Sequence, residues 1–190
     1  MRTLWVVAIA LGGAMCPRAD ARAQEMDAPV AIQIPVLLKV MAFDRQLPLR
    51  APAEIVIGVV FQSGNRTSAM AKDEALHAFV GAREGVGGVP LRAVAIDLDR
   101  ERLPDVLRAG KFTMLYITPL RGADVAAIAS LTREWRVTTL TGVPRYVAQG
   151  LGIGVGVKGG RPRILVNLEA SKLEGAELGA ELLKLADILP

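Results

Sequence analysis

Apolar residues along this chain follow two rhythms that alternate. Glu54 to Phe61 (EIVIGVVF) is a continuous, largely β-branched run, the pattern of a strand covered on both faces. Val89 to Ile96, Phe112 to Ile117 and Val137 to Leu140 predict three more strands. Between them the spacing changes to that of a helix. Ser68 to Arg83 carries Ala71, Ala75, Leu76, Phe79 and Val80 on one stripe, with Ser68 placed to cap it. Asp99 to Ala109, stopped at Gly110, and Ala123 to Trp135 predict two further helices. Upstream, Ile34, Leu37, Leu38 and Met41 recur at helical spacing within Val30 to Phe43, where Pro35 is tolerable only near a first turn. Asp44 to Pro52 holds Pro48 and Pro52 and reads as a connection. Alternating strands and helices imply right-handed crossovers, hence an α/β fold: three layers, α/β/α, around a mostly parallel sheet.

The last quarter breaks the alternation. Gly152 to Val157 and Arg163 to Val166, joined by Lys158-Gly159-Gly160-Arg161-Pro162, predict an antiparallel hairpin at the sheet's C-terminal edge. Asn167 is placed to cap a short helix, Leu168 to Leu173. Leu178, Leu182, Leu185 and Leu189 then form a helical stripe, with Glu177, Glu181, Lys184 and Asp187 toward water. No repeat or linker interrupts the chain, so residues 24–190 are expected to form a single domain.

The opening residues stand apart from that domain. Arg2, the apolar run Leu4 to Met15 and the A-x-A site Ala21-Arg22-Ala23 predict a signal peptide over residues 1–23 and export from the cytoplasm. That run is short for a membrane span, and no later segment reaches the roughly 18–20 apolar residues a span needs, so the mature chain is not expected to be transmembrane. A lipoprotein reading of Cys16 competes, against Met15, which stands where lipidation wants a small residue. Cleavage would leave 20 basic and 18 acidic residues, and nucleic-acid binding loses its compositional support. It would also remove Cys16, the sole cysteine, and with it any disulfide, zinc thiolate or thiol nucleophile.

Candidate chemistry is sparse. Gly154-Val155-Gly156-Val157-Lys158-Gly159 matches GxGxxG by letter, but a hairpin strand follows where a dinucleotide site needs a helix N-terminus. Glycines at 150, 152, 154 and 156 instead fall on one face, where another element packs closely. His77 has no partner at metal-ligand spacing, and no serine sits in a GxSxG elbow. No catalytic residue, metal or cofactor is therefore expected, and the chain is not expected to be an enzyme. Asp97 and Asp99 at the end of the second strand are either functional or, more simply, strand-ending and helix-capping. The loop Gln62 to Ser68 offers the candidate ligand site: Ser63, Asn65, Arg66 and Ser68, joined at the same edge by Thr118, Arg121 and Thr141. Amides, hydroxyls and a guanidinium could converge there on an anion; the alternative is a solvated connection. Met41, Phe43 and Leu47 are either an apolar patch for a partner or part of the core.

One resemblance is specific. Ile164-Leu165-Val166-Asn167-Leu168-Glu169-Ala170, a short spacer, then Leu182-Leu183-Lys184-Leu185-Ala186 resemble the end of the YfiR-like (YfiR/HmsC) periplasmic family: a strand closing on Asn, an "xxA" helix, then "xLLxLA". Weaker correspondences place Leu38 to Phe43 in the family's opening helix, Ile57 to Val60 in its first strand and Gly150 to Gly156 in its glycine-bearing strand. The resemblance implies a periplasmic, non-enzymatic regulator that binds and represses an inner-membrane sensor protein, a diguanylate cyclase or a kinase, in cyclic-di-GMP signalling or a related pathway. Two departures stand out: the mature chain has no cysteine for the disulfides of studied members, and the aromatic character near the opening helix reduces to Phe43. A small-ligand-binding periplasmic sensor or transport accessory protein is the alternative, and assembly as a homodimer stays open.

Overall fold

The computed structural model describes residues 26–189; the leader expected over residues 1–23, with Cys16, lies outside them. Seven strands form one sheet in the order β2-β1-β3-β4-β5-β6-β7. They are β1 (Ile55–Phe61), β2 (Leu91–Asp97), β3 (Met114–Ile117), β4 (Thr138–Thr141), β5 (Ile153–Lys158), β6 (Arg161–Asn167) and β7 (Asp187–Leu189). All neighbours are parallel except the β5–β6 hairpin. The helices are α1 (Val30–Met41), α2 (Leu47–Arg50), α3 (Arg66–Gly81), α4 (Leu103–Ala109), α5 (Val125–Trp135), α6 (Pro144–Ala148), α7 (Leu168–Leu173) and α8 (Ala180–Leu183).

The strands alternate between two cores, one on each face. Met114 and Tyr116 of β3 join Ile34, Leu37 and Met41 of α1 and Phe79 of α3, while Leu115 and Ile117 join Leu107 of α4, Ile128 of α5 and Tyr146 of α6. This gives the three-layer α/β/α arrangement; the antiparallel β5–β6 hairpin is present but not at the edge, because β7 pairs outside β6. Phe79 and Tyr116 meet edge to face, centroids 6.0 Å apart. Tyr116 donates to Gln33 Oε1 at 2.7 Å, which brings a buried amide from α1 across Gly142. A Cβ on Gly142 would lie 1.8 Å from that oxygen, so a side chain at 142 would displace the Gln33 amide from its bond to Tyr116.

Several expected elements differ, each for a local reason. Pro35 sits inside α1 rather than in its first turn, with its ring exposed. Ser68 does not cap α3, which begins two residues earlier at Arg66; its hydroxyl faces inward and is buried. The hairpin turn is two residues, because Gly159 (φ 58°) and Gly160 (φ 73°) both take the left-handed conformation that a tight turn needs, and Lys158 pairs with Arg161. The expected leucine-striped final helix is only Ala180–Leu183; Leu185 is exposed and residues 187–189 become β7 beside β6. Asn167 does cap α7, accepting from the Ala170 amide at 2.9 Å.

Two buried carboxylates join the parts. Asp44, in the turn after α1, accepts from the amides of Gln46 (3.0 Å) and Glu177 (2.8 Å) and from Arg50 Nη2 (2.6 Å). Arg50 also donates to Thr138 Oγ1 in β4, so one carboxylate ties the first helices, the tail and the sheet. Glu174, just after α7, accepts from the Thr139 amide (2.8 Å), from Thr139 Oγ1 (2.7 Å) and from Thr132 Oγ1 (3.2 Å). It lies over Gly152, where a Cβ would come within 2.5 Å of its Oε2, while Gly154 makes room for Val147 of α6. Gly152, just before β5, and Gly154 within it are thus a packing face, while Gly150, expected on the same face, lies in the preceding turn with φ 107°. Burial raises the Glu174 carboxyl to about 7, against the opposing pull of hydrogen bonds from Thr139 and Thr132 and of Arg133.

Two expectations follow. Asp44→Ala leaves Arg50 and two amides without their acceptor and should cost about 3–5 kcal/mol, measured by urea unfolding. Because Glu174 titrates higher in the folded than in the unfolded chain, the folded state keeps its proton where the unfolded state has lost it. Stability should therefore fall as pH rises from about 4.5 to about 7, by at most roughly 3 kcal/mol from this group. Glu174→Gln should remove that component of the slope in melts recorded across the same range.

Candidate functional site

In this strand order the chain leaves β1 toward β2 and returns across it to β3, so the loops after β1 and β3 diverge from adjacent carboxyl ends. Such a switch point is where open α/β sheets form a crevice. Here the two loops are joined by side chains. Gln62 donates from Nε2 to the Arg121 carbonyl (3.1 Å) and accepts the Arg121 amide at Oε1 (2.6 Å). Asn65 Nδ2 donates to the Pro119 carbonyl (3.2 Å). Beneath them Ser68 Oγ takes the Gln62 amide (3.0 Å) and shares a hydrogen bond of 2.7 Å with Thr118 Oγ1, which reaches the Val60 carbonyl (2.9 Å). From the other core, the Tyr146 hydroxyl accepts the Leu120 amide (2.9 Å) and lies 3.2 Å from its carbonyl, which fixes the start of the second loop.

A cleft of about 210 Å³ opens above this frame, lined by Gln62, Gly64, Asn65, Asp99 and Arg121. Of the residues expected at a ligand site, Asn65 and Arg121 line it. Ser63, Arg66, Ser68 and Thr118 are not among its lining residues: Ser68 and Thr118 are buried and bonded to each other between the loops, and Arg66 starts α3. Thr141 turns inward instead, donating to the Ile117 carbonyl. Of the pair Asp97 and Asp99, for which a functional role stood beside strand-ending and capping, Asp99 lines the cleft. Neither carboxylate caps α4, which begins four residues after Asp99. Asp97 Oδ1 accepts the amides of Ser63 (3.0 Å) and Asp99 (3.1 Å), and Asp99 Oδ2 accepts the Gly64 amide (2.7 Å). The amides available to an anion at 63 and 64 are therefore held by the chain's own carboxylates. Burial pushes the Asp97 carboxyl up, but hydrogen bonds from Ser63 and the Asp99 amide, with the charge of Arg100, hold it below the usual range.

The apolar trio near the first helix is divided by the fold. Met41 and Leu47 are buried in the core, so only Phe43 reaches the surface, 42% exposed. It lines a groove of about 490 Å³ between the α1–α2 turn, with Arg45 and Pro48, and the tail segment Gly179, Ala180 and Glu181. The groove wall is stitched by the Arg45 amide to the Glu177 carbonyl and by the Gly179 amide to the Phe43 carbonyl, each 3.0 Å. Among the described residues no group of three or more His, Cys, Asp or Glu is arranged to hold a metal, and no helix is long and apolar enough to cross a membrane.

Solved structures share the architecture at low identity. An ABC domain from Streptococcus pneumonia in complex with L-Trp aligns with TM-score 0.59 and 13% identity, over 85% of this chain and 60% of its own. A conserved domain protein from Vibrio cholerae aligns with TM-score 0.61 and 12% identity, over 86% and 60%. A substrate binding protein with adhesive properties from Clostridium difficile, in its ligand-free open form, gives 0.52 and 15%, over 76% and 57%. The chain thus spans at most 60% of the length of these proteins, and the likeness is one of fold. No match is found among curated proteins. A family model does match, from residue 36 to residue 187, running from the middle of α1 to the start of β7 and including both the cleft and the Phe43 groove. The chain belongs to the YfiR/HmsC-like family.

Proposed function

We propose that this protein is a periplasmic, non-enzymatic regulator that binds and represses an inner-membrane signalling protein, through the sensor domain of a diguanylate cyclase or a comparable receptor, and that the Phe43 groove is the docking surface. Family membership supports the role of regulator in the periplasm. The observation that carries the assignment of a surface is Phe43 itself: an aromatic ring left 42% exposed at a groove whose apolar neighbours Met41 and Leu47 are fully packed. Exposed aromatics in concave, rigid surroundings are the usual anchors of protein interfaces. The groove is held by the Asp44 carboxylate and the backbone bonds to residues 177–179, so binding would not have to order it. Arg45, Glu177 and Glu181 supply a charged rim. Export by the N-terminal leader belongs to the same proposal.

The cleft at the β1/β3 switch point favours a second reading, a small-ligand-binding sensor, which is compatible with the first if ligand and partner occupy different surfaces. Phe43→Ala should weaken binding of the partner's periplasmic domain by roughly tenfold or more, a loss of at least ~1.4 kcal/mol. Its unfolding midpoint should stay near that of the wild type, because much of the ring is already in water. In cells, deleting the gene should raise cyclic-di-GMP, and the Phe43→Ala form, unlike the wild type, should not bring it back down. The proposal fails if pull-downs from the envelope recover no membrane sensor and cyclic-di-GMP is unchanged in the deletion strain.

A further inference from the structure

We propose that the cleft between the loops after β1 and β3 binds a small zwitterion of the α-amino-acid class, its ammonium on Asp99 and Asn65 and its carboxylate on Arg121. This deepens the small-ligand reading and does not depend on the partner groove. The argument rests on which polar groups the fold has already used. Both ends of the Gln62 amide are committed to the Arg121 backbone, and Asn65 Nδ2 to the Pro119 carbonyl. The amides of Ser63 and Gly64 are taken by Asp97 and Asp99. These bonds fix the walls and leave no free amide at 63 or 64 for an anion.

The lining residues keep a short inventory of uncommitted polar groups. Asp99 uses Oδ2 toward Gly64 and Ser63, so Oδ1 is uncommitted. Asn65 has its Oδ1 uncommitted, and the Arg121 guanidinium makes no hydrogen bond or ion pair among the described residues. A carboxylate and an amide oxygen suit the three donors of a primary ammonium, and a guanidinium fork suits a carboxylate. A simple anion would meet the Asp99 charge, and a simple amine would meet Arg121. A molecule carrying both charges a few bonds apart satisfies both walls and leaves neither unpaired. The volume, about 210 Å³, lies below the roughly 300–1,000 Å³ of sites for drug-sized ligands and suits a molecule of amino-acid size.

The test is calorimetric titration and thermal melting of the mature protein with glycine, L-alanine, L-serine and L-glutamine. The controls are N-acetylalanine, alanine methyl ester, acetate, methylamine and inorganic phosphate. At least one amino acid, at a hundredfold excess over its Kd, should raise Tm by roughly 5–10 °C. Its N-acetyl and ester forms should bind at least tenfold more weakly. Asp99→Asn, which can still accept from Gly64, and Arg121→Gln, which loses no internal bond, should each weaken binding about tenfold or more and leave the free Tm within a few degrees. Phe43→Ala should leave the affinity unchanged. Phosphate or acetate binding that Arg121→Gln abolishes would keep a ligand site but overturn the zwitterion. Amino-acid binding indifferent to both substitutions would overturn the location. No response to any compound at about 10 mM would overturn the proposal; the small-ligand reading itself falls only if a wider screen of nucleotides and larger carboxylates is silent too, and neither result touches the partner interface.

Discussion

The fold depends on a carboxylate that water does not reach. A parallel sheet must be covered on both faces, and here the covering elements at the two chain ends, α1 with α2 and the segment after α7, have to meet each other as well as the sheet. Asp44 is where they meet. Its two oxygens accept from the turn after α1, from the tail at Glu177 and from Arg50, which carries the connection to Thr138 at the start of β4. Burying that charge is costly and is offset only while every partner is present. The same arrangement makes the Phe43 groove a preformed concavity: its two walls are the segments that Asp44 joins.

The architecture was legible because its signal is repeated. A β-branched run at Ile55 to Phe61 and stripes such as Ala71, Ala75 and Phe79 each carry enough apolar residues to fix one element. The glycines of β5 were legible as a packing face, since a dinucleotide loop would need a helix after Gly159 and the chain supplies Pro162 and a strand. What escaped is short or decided by tertiary contact. α6 has five residues and is defined by Tyr146 and Val147 entering two different surroundings, a phenol on the loop after β3 and a valine over Gly154. Leu185 keeps a helical spacing with Leu182, yet pairing of Asp187 to Leu189 with β6 outweighs continuing a helix. The bidentate Arg163–Asp187 ion pair joins the two strands there and holds the aspartate below its usual range, chiefly through the hydrogen bonds from the arginine.

The site was legible in its location more than in its chemistry. Loops after β1 and β3 could be placed at one edge from the strand pattern alone, because parallel strands send all such loops to the same side. Which of their polar groups stay free could not be read, because that depends on bonds between residues far apart in sequence. Ser68 and Thr118, both plausible ligand contacts by type, are used to join the loops. Asp99, plausible as a cap, lines the cleft with only Oδ2 engaged. The pair Asp97-Leu98-Asp99 did signal a functional alternative at the strand end, but not which carboxylate would reach the cleft.

The two surfaces lie on opposite edges of the sheet. The cleft stands at the carboxyl ends of β1 and β3, whereas the Phe43 groove is joined through Asp44 and Arg50 to Thr138, at the amino end of β4. A ligand in the cleft therefore gains no contact with a partner in the groove, and any linkage between them needs an intervening element with two arrangements. α1 is the element that spans the distance. Near its beginning Gln33 lies over Gly142, beyond the carboxyl end of β4, and bonds to Tyr116; its last turn leads into Phe43 and Asp44. Its docking combines the apolar contacts of Ile34, Leu37 and Met41 with one buried amide that fits because Gly142 has no side chain. If regulation passes between the edges, the Gln33–Tyr116 bond is the point at which a small displacement of the sheet's carboxyl edge would be felt at the groove.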